Sequence, residues 1–179
     1  MITAVILAGG YGTRLKKLTK TIPKPMIVIA GKPVIRHIID NLHIAGINQI
    51  IVKTHYLPEV IMKYLGNSVM YYYESELLSH KETIIALQGQ INDNFFVING
   101  DTLSNVDYRK MLKTHKENTI TVLMDEWRCA GTWLYSRQYF KDQSIAVYPY
   151  RQTGLLWFDI GTPERLQAAK DYYERYEKN

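Results

Sequence analysis

The sequence predicts an α/β protein, a Rossmann-like three-layer α/β/α sandwich built on a mainly parallel mixed sheet. Two observations carry this. Short, continuous apolar runs such as Ala4-Val5-Ile6-Leu7-Ala8 have the length and bounds of strands buried on both faces. Between these runs stand longer segments whose apolar residues recur at helical spacing, and the alternation persists along the chain. No repeat, low-complexity tract or long linker breaks it, so residues 1–179 are expected to form a single domain.

The elements follow in order. Ile2–Ala8 is a strand ended by Gly9-Gly10. Pro33 to Ala45 is a helix: Pro33 suits a first-turn position, Val34, Ile35, Ile38, Ile39 and Leu42 form one face, and Gly46 ends the run. Gln49–Thr54 is the second strand, Pro58–Leu65 the second helix and Ser68–Tyr73 the third strand. Thr83–Gln90 is expected to be helical. Asn94–Asn99 is a strand with four apolar residues in succession. Asp107–Lys116 is a helix, Thr119–Met124 a strand, and Thr132–Ser136 and Leu155–Ile160 are further strand candidates. Pro163–Tyr176 is the last helix, with Pro163 at its start. In sheets of this kind ligands bind beyond the carboxyl ends of the strands, and functional residues are sought there.

The bulk composition narrows the class. Hydrophobic residues make up 46% and charged residues 22%, ordinary values for a globular protein. The apolar runs are far too short to span a bilayer, and the N-terminus lacks a basic segment followed by a long apolar run. One cysteine, Cys129, excludes an internal disulfide and a Cys-rich metal cluster. The expectation is a cytoplasmic protein. The net charge of +5 suits a nucleic acid or a phosphate-rich small ligand. Its densest group, Arg14, Lys16, Lys17, Lys20 and Lys24, lies beside a glycine loop and favours the small ligand. The 14 tyrosines do not interleave with a basic stripe, which argues against nucleic acid. Tyr71-Tyr72-Tyr73 and the group Tyr172, Tyr173 and Tyr176 read as packing or subunit contacts, compatible with a homodimer.

The first strand runs into Leu7-Ala8-Gly9-Gly10-Tyr11-Gly12-Thr13-Arg14-Leu15. Glycines there let the backbone approach an anion and turn its N–H groups toward it. Arg14 adds a planar fork suited to phosphate oxygens. The loop lacks the Gly-Lys-Ser/Thr of a Walker A motif and the spacing of the dinucleotide fingerprint. Ten residues on, Pro23-Lys24-Pro25-Met26 holds Lys24 in a stiff extended segment, and Gly31-Lys32-Pro33 opens the helix.

In these three elements, in this order, the chain closely resembles the sugar-phosphate nucleotidyltransferase family. The resemblance implies that Leu7, Ala8, Gly9, Gly10, Gly12 and Thr13 wrap the phosphates of an NTP, that Arg14 neutralises the departing pyrophosphate and that Lys24 contacts the reacting phosphates. It also extends to Asn99-Gly100-Asp101 and to Trp157-Phe158-Asp159-Ile160-Gly161-Thr162-Pro163. There it implies nucleotide contact at Gly100 and Mg²⁺ ligands at Asp101 and Asp159. Read from the residues alone, each aspartate is a lone carboxylate ending an apolar run, a turn residue or a metal ligand.

Two stretches depart from the family pattern. Glu82-Thr83-Ile84-Ile85-Ala86-Leu87 stands where members read Gly-Thr-Ala-Gly-Ala-Leu, a turn that approaches the base. Glu74 and Thr83 are taken as nucleotide contacts. Glu82 is expected either to accept from a base amino group or to face solvent. The Tyr-x-Glu run ending at Glu74 leans the choice of nucleotide toward GTP. The second departure is the loss of a Glu-Lys-Pro hairpin whose lysine grips the acceptor phosphate: Met124 to Cys129 leads straight to Ala130-Gly131. Arg128, flanked by Trp127 whose ring is expected either to stack on the guanidinium or to cover the acceptor, and Gly131 are expected on the acceptor side, with Arg151 the next cation. The implied reaction transfers a nucleoside monophosphate from an NTP to a phosphorylated small molecule, a sugar 1-phosphate, with Mg²⁺ as cofactor. A cytidylyltransferase acting on a phosphate such as phosphocholine, or an inactive nucleotide-binding regulatory module, are the alternatives.

Overall fold

A computed structural model describes residues 1–176, with the side chain of Tyr176 outside the described set. The strands are β1 (Thr3–Leu7), β2 (Val28–Ile29), β3 (Lys32–Pro33), β4 (Gln49–Thr54), β5 (Met70–Tyr73), β6 (Phe95–Asn99), β7 (Thr102–Ser104), β8 (Thr119–Asp125), β9 (Arg128–Tyr135), β10 (Ala146–Arg151) and β11 (Trp157–Asp159). The helices are α1 (Val34–Ile44), α2 (Pro58–Leu65), α3 (His80–Ala86), α4 (Tyr108–Thr114) and α5 (Pro163–Tyr176).

Seven strands form one sheet in the order β10-β8-β9-β6-β1-β4-β5. β1 pairs in parallel with β4 and β6, β4 with β5, and β8 with β10. β9 runs antiparallel to both its neighbours, so the sheet is mixed but mainly parallel. Alternation along the central strands divides the core between the two faces. Ala4, Ile6, Val52, Phe96 and Ile98 pack against α1, α2, α4 and α5, whereas Val5, Ile51, Phe95 and Val97 pack against Ile84 of α3 and Tyr139. Both faces are therefore covered, as buried apolar strands require.

Local chemistry sets several boundaries. The α3 helix starts at His80, three residues before the expected Thr83. Ser79 accepts from the Glu82 N–H while Glu82 accepts from the Ser79 N–H, a capping box. Gln88–Gln90 continues α3 only as a separate 3-10 turn. Asp107, expected as a helical residue, instead caps α4 by accepting from the Lys110 N–H at 2.9 Å. Pro33 precedes α1 in an extended conformation rather than occupying its first turn.

Three further differences concern strands. β9 begins at Arg128 rather than Thr132, because β8 and β9 form a tight hairpin through Glu126 and Trp127. Glu126 takes a positive φ of 42° there. β10 was not expected. Its Pro149 donates no hydrogen bond, which an edge strand tolerates. β11 is shorter than Leu155–Ile160 and pairs with β7 outside the central sheet.

Tyr172 and Tyr173 pack against Phe158 and each other, and Tyr173 also meets His37, so this pair is used within the chain. No described helix is long and apolar enough to cross a membrane.

Candidate active site

The carboxyl ends of β1, β4 and β6 lie side by side, and a cavity of about 270 Å³ opens there. Leu7, Ala8, Gly9 and Gly10 line it from the glycine loop, and Lys24, Pro25, Asn99 and Asp101 complete the charged side. Lys53, Leu77 and Leu78 form the remaining wall.

The backbone explains the glycines. The Gly100 N–H donates to Leu7 O at 3.0 Å, and a Cβ at Gly100 would lie 2.8 Å from that oxygen. A side chain would therefore push the β6 end away from the glycine loop. Gly12 turns the chain in the left-handed region, φ 65°, and Thr19 closes over it by donating to Gly12 O at 2.9 Å. Gly12 and Thr13 thus shape the exit of the loop rather than line the cavity. Gly131, φ 74°, sits in β9 against Thr102 and Asn99.

Charges converge from distant segments. Lys24 pairs with Asp101 in a half-covered position, with side-chain exposures of 14% and 21%. Asp159 is brought to the same place by pairing of β11 with β7, where it stands opposite Thr102. The Ile160 N–H donates to Asp101 O at 3.0 Å and locks the two turns together. Burial pushes the Asp159 carboxyl up. The hydrogen bonds from Arg165, at 2.6 Å, and from the Gly161 N–H, with the charges of Arg165 and Lys24, outweigh it and hold the group below the usual carboxylate range. Arg14 reaches the same turn: its guanidinium and the Asp159 carboxylate both crowd the space a Cβ would take on Gly161.

A second, smaller cavity of about 210 Å³ adjoins Asp159 and is lined by Asp125, Arg128, Trp157, Phe158 and Arg165. Arg128 lies over the ring of Trp157 at 5.8 Å. This corrects the stacking alternative for Trp127, which is 86% exposed at the tip of the β8–β9 hairpin. Arg151 points elsewhere, toward Glu126 O at 3.5 Å.

Of the two alternatives for Glu82 the structure takes the solvent-facing one: it is exposed, engaged in its capping box, and does not line the cavity. Glu74 is almost wholly buried. One carboxylate oxygen accepts from the Thr83 hydroxyl at 2.5 Å, and the other pairs with Lys53 at 2.6 Å and accepts from the Leu78 N–H at 3.2 Å. Glu74 and Thr83 therefore brace the segment carrying Leu77 and Leu78 and do not themselves line the cavity. Burial pushes the Cys129 thiol up, which disfavours the thiolate a nucleophile needs.

Lys53, Asn99 and Arg165 were missed in the sequence. Lys53 had a signal: it is the one charged residue in Gln49–Thr54, at the carboxyl end of that strand, the feature that singled out Asp101. Arg165 had another, because a cation in the first turn of a helix opposes the helix dipole unless an anion holds it.

The nucleotidyl transferase family description matches residues 3–130. The chain belongs to that family. It is 36% identical over 130 residues to a mannose-1-phosphate guanylyltransferase of Mycobacterium tuberculosis, covering 69% of this chain and 36% of that one. It is 41% identical over 118 residues to a D-glycero-alpha-D-manno-heptose 1-phosphate guanylyltransferase of Aneurinibacillus thermoaerophilus, covering 63% of this chain and 51% of that one. The chain thus spans about half or less of the length of these curated relatives. The crystal structure of HddC from Yersinia pseudotuberculosis superposes with a TM-score of 0.81 at 25% identity, covering 97% of this chain and 100% of that one. The mainly parallel sheet seen here is thus shared with that structure.

Proposed function

We propose that this nucleotidyl transferase joins an NTP to a sugar 1-phosphate and releases pyrophosphate, with GTP as the nucleotide. The observation that carries the reading is the meeting of Lys24, Asp101, Asp159 and Arg14 beside a glycine loop, from four separate stretches of chain. Its relatives bear the names of sugar-1-phosphate guanylyltransferases, which supports both the acceptor class and the base.

A phosphate oxygen of the acceptor attacks the α-phosphorus in line. A new P–O–P bridge forms, the α–β bridge breaks, and pyrophosphate leaves with the bonding pair. The attacking phosphate is largely ionised near neutral pH, so no general base is required. The protein's contribution is positioning and charge neutralisation. Backbone N–H groups of the glycine loop and Arg14 face the departing phosphates. Lys24 faces the reacting ones. Arg128 and Arg165 offer the acceptor phosphate two cations in the adjoining cavity, which replaces the function of the absent hairpin lysine.

The residues fit a magnesium ion by their donor chemistry. Asp101 and Asp159 offer hard carboxylate oxygens on two turns joined by the hydrogen bond from the Ile160 N–H to the Asp101 backbone oxygen. Among the described residues no group of three or more His, Cys, Asp or Glu side chains surrounds a common point. Two carboxylates plus phosphate oxygens and water suit Mg²⁺, which rarely takes an all-protein cage. When bound, it supplies charge neutralisation between the two phosphate groups.

The test is pyrophosphate release with the four NTPs, each combined with mannose, glucose and heptose 1-phosphates and with phosphocholine. Release with GTP and a sugar 1-phosphate supports the reading. Release with CTP and phosphocholine overturns it, and NTP binding without release with any acceptor makes the chain a nucleotide-binding module.

A further inference from the structure

Lys53 is 4% exposed, yet it lines the nucleotide cavity. Its backbone oxygen accepts from the Ala8 N–H at 2.8 Å, which pins the end of β4 to the start of the glycine loop. Its ammonium lies directly under Gly9: a Cβ there would sit 3.0 Å from Nζ. An ammonium has three donors. Among the described residues this one has one acceptor, Glu74 at 2.6 Å. A buried ion pair costs desolvation and adds little stability for its own sake, so donors left over on a cavity wall point to a ligand.

The polarity of the cavity says which part of the ligand lies there. Lys24 and Asp101 mark the phosphate end. Lys53 shares the lining with Leu77 and Leu78 and is tied to that segment, because the Glu74 oxygen it pairs with also accepts from the Leu78 N–H. Apolar side chains beside a single donor suit the flat face and one edge of a base. The carboxylate of Glu74 is already taken by Lys53, Thr83 and Leu78, so the group turned toward the ligand on this wall only donates.

Resting on the nucleotide reading above, we infer that Lys53 is a specificity-determining residue that donates to a keto oxygen of the base. Guanine O6 and uracil O4 offer such an oxygen. Adenine and cytosine place an amino group there, a donor against a donor. The arrangement therefore selects GTP or UTP over ATP and CTP, and Glu74 with Thr83 positions the lysine rather than touching the nucleotide.

Equilibrium binding of the four NTPs in the presence of Mg²⁺ tests this. The wild type is expected to bind GTP or UTP at least about tenfold more tightly than ATP and CTP. The better of the two is then compared with its analogue in which only the keto oxygen is replaced by sulfur, a weak acceptor: 6-thioguanosine triphosphate for GTP, 4-thiouridine triphosphate for UTP. The analogue is expected to bind about tenfold more weakly, the weakening of one hydrogen bond to a charged group. In the double variant Lys53→Met/Glu74→Gln that gap is expected to close, because the pair is removed without leaving a buried charge. The analogue comparison uses only wild-type protein and stands even if the double variant fails to fold. Equal affinity for the nucleotide and its analogue overturns the inference while leaving the nucleotide site intact, as does a gap that persists in the double variant. Absence of binding by any NTP overturns the nucleotide site and this inference together.

Discussion

Lys24 and Asp101, 77 residues apart in sequence, form an ion pair on the wall of the cavity beneath the glycine loop. Neither residue is placed by the other's local structure. Lys24 is held by two flanking prolines and Asp101 by the end of β6, and the parallel pairing of β1 with β6 brings the two segments together. On the proposed reading, the pair puts one cation and one carboxylate beside the phosphates and the divalent ion.

Asp101→Asn keeps the shape of the site and removes the carboxylate charge. Mg²⁺-dependent pyrophosphate release is expected to vanish while the thermal unfolding transition remains cooperative. Near-wild-type turnover in purified variant protein would refute the metal assignment.

Arg14→Ala and Lys24→Ala are each expected to lower kcat/KM by about two to three powers of ten, the scale of losing one preorganised charge-stabilising group. Steady-state kinetics decide it. Unchanged kinetics would reduce that residue to a surface charge.

Arg128→Ala is expected to raise KM for the sugar 1-phosphate about ten- to a hundredfold, equivalent to roughly 1.5–3 kcal/mol for one hydrogen bond to a charged group. KM for the NTP should stay within about twofold, because Arg128 lines the cavity next to Asp159 and not the one beneath the glycine loop. If the acceptor KM does not move, Arg165 alone serves the acceptor phosphate.

Gly100→Ala is expected to destabilise the protein by about 1–3 kcal/mol, the usual cost of forcing atoms into a packed site. The added methyl would lie 2.8 Å from Leu7 O, a backbone atom that cannot rotate away. Denaturant unfolding measures it, and a midpoint equal to wild type would contradict the close approach.

The Asp159–Arg165 pair has a predictable acid limb. The folded carboxyl is held below its ordinary value, so its contribution is complete above the unfolded value of about 3.9 and is lost as pH falls through the lower folded value. Thermal melts of wild type and Asp159→Asn should therefore differ most near neutral pH and converge in strong acid. A gap that widened on acidification would reverse the sign and exclude the pair as its source.

The central strands, most helices and the glycine loop were legible in the sequence because each depends on short-range rules. Continuous apolar runs can be buried only on both faces, apolar residues at helical spacing need one covered face, and Gly9-Gly10 allows close backbone approach. The lone carboxylates ending their apolar runs, Asp101 and Asp159, were visible for the same reason. The α3 start was also written locally, as Ser79-x-x-Glu82, but the family pattern left Glu82 open between a base contact and a solvent-facing residue.

Only the tertiary structure decided how these pieces meet. Whether Asp159 reaches Asp101 depends on β11 pairing with β7, a contact between segments whose sequences carry no mutual signal. The same holds for Arg128 finding Trp157 instead of its neighbour Trp127, and for Lys53 and Glu74 neutralising each other inside the wall. Propensity and periodicity act within a few residues along the chain. The partner of a charge or a ring is chosen by which distant segments the sheet order places side by side, and by the cost of burying either group alone.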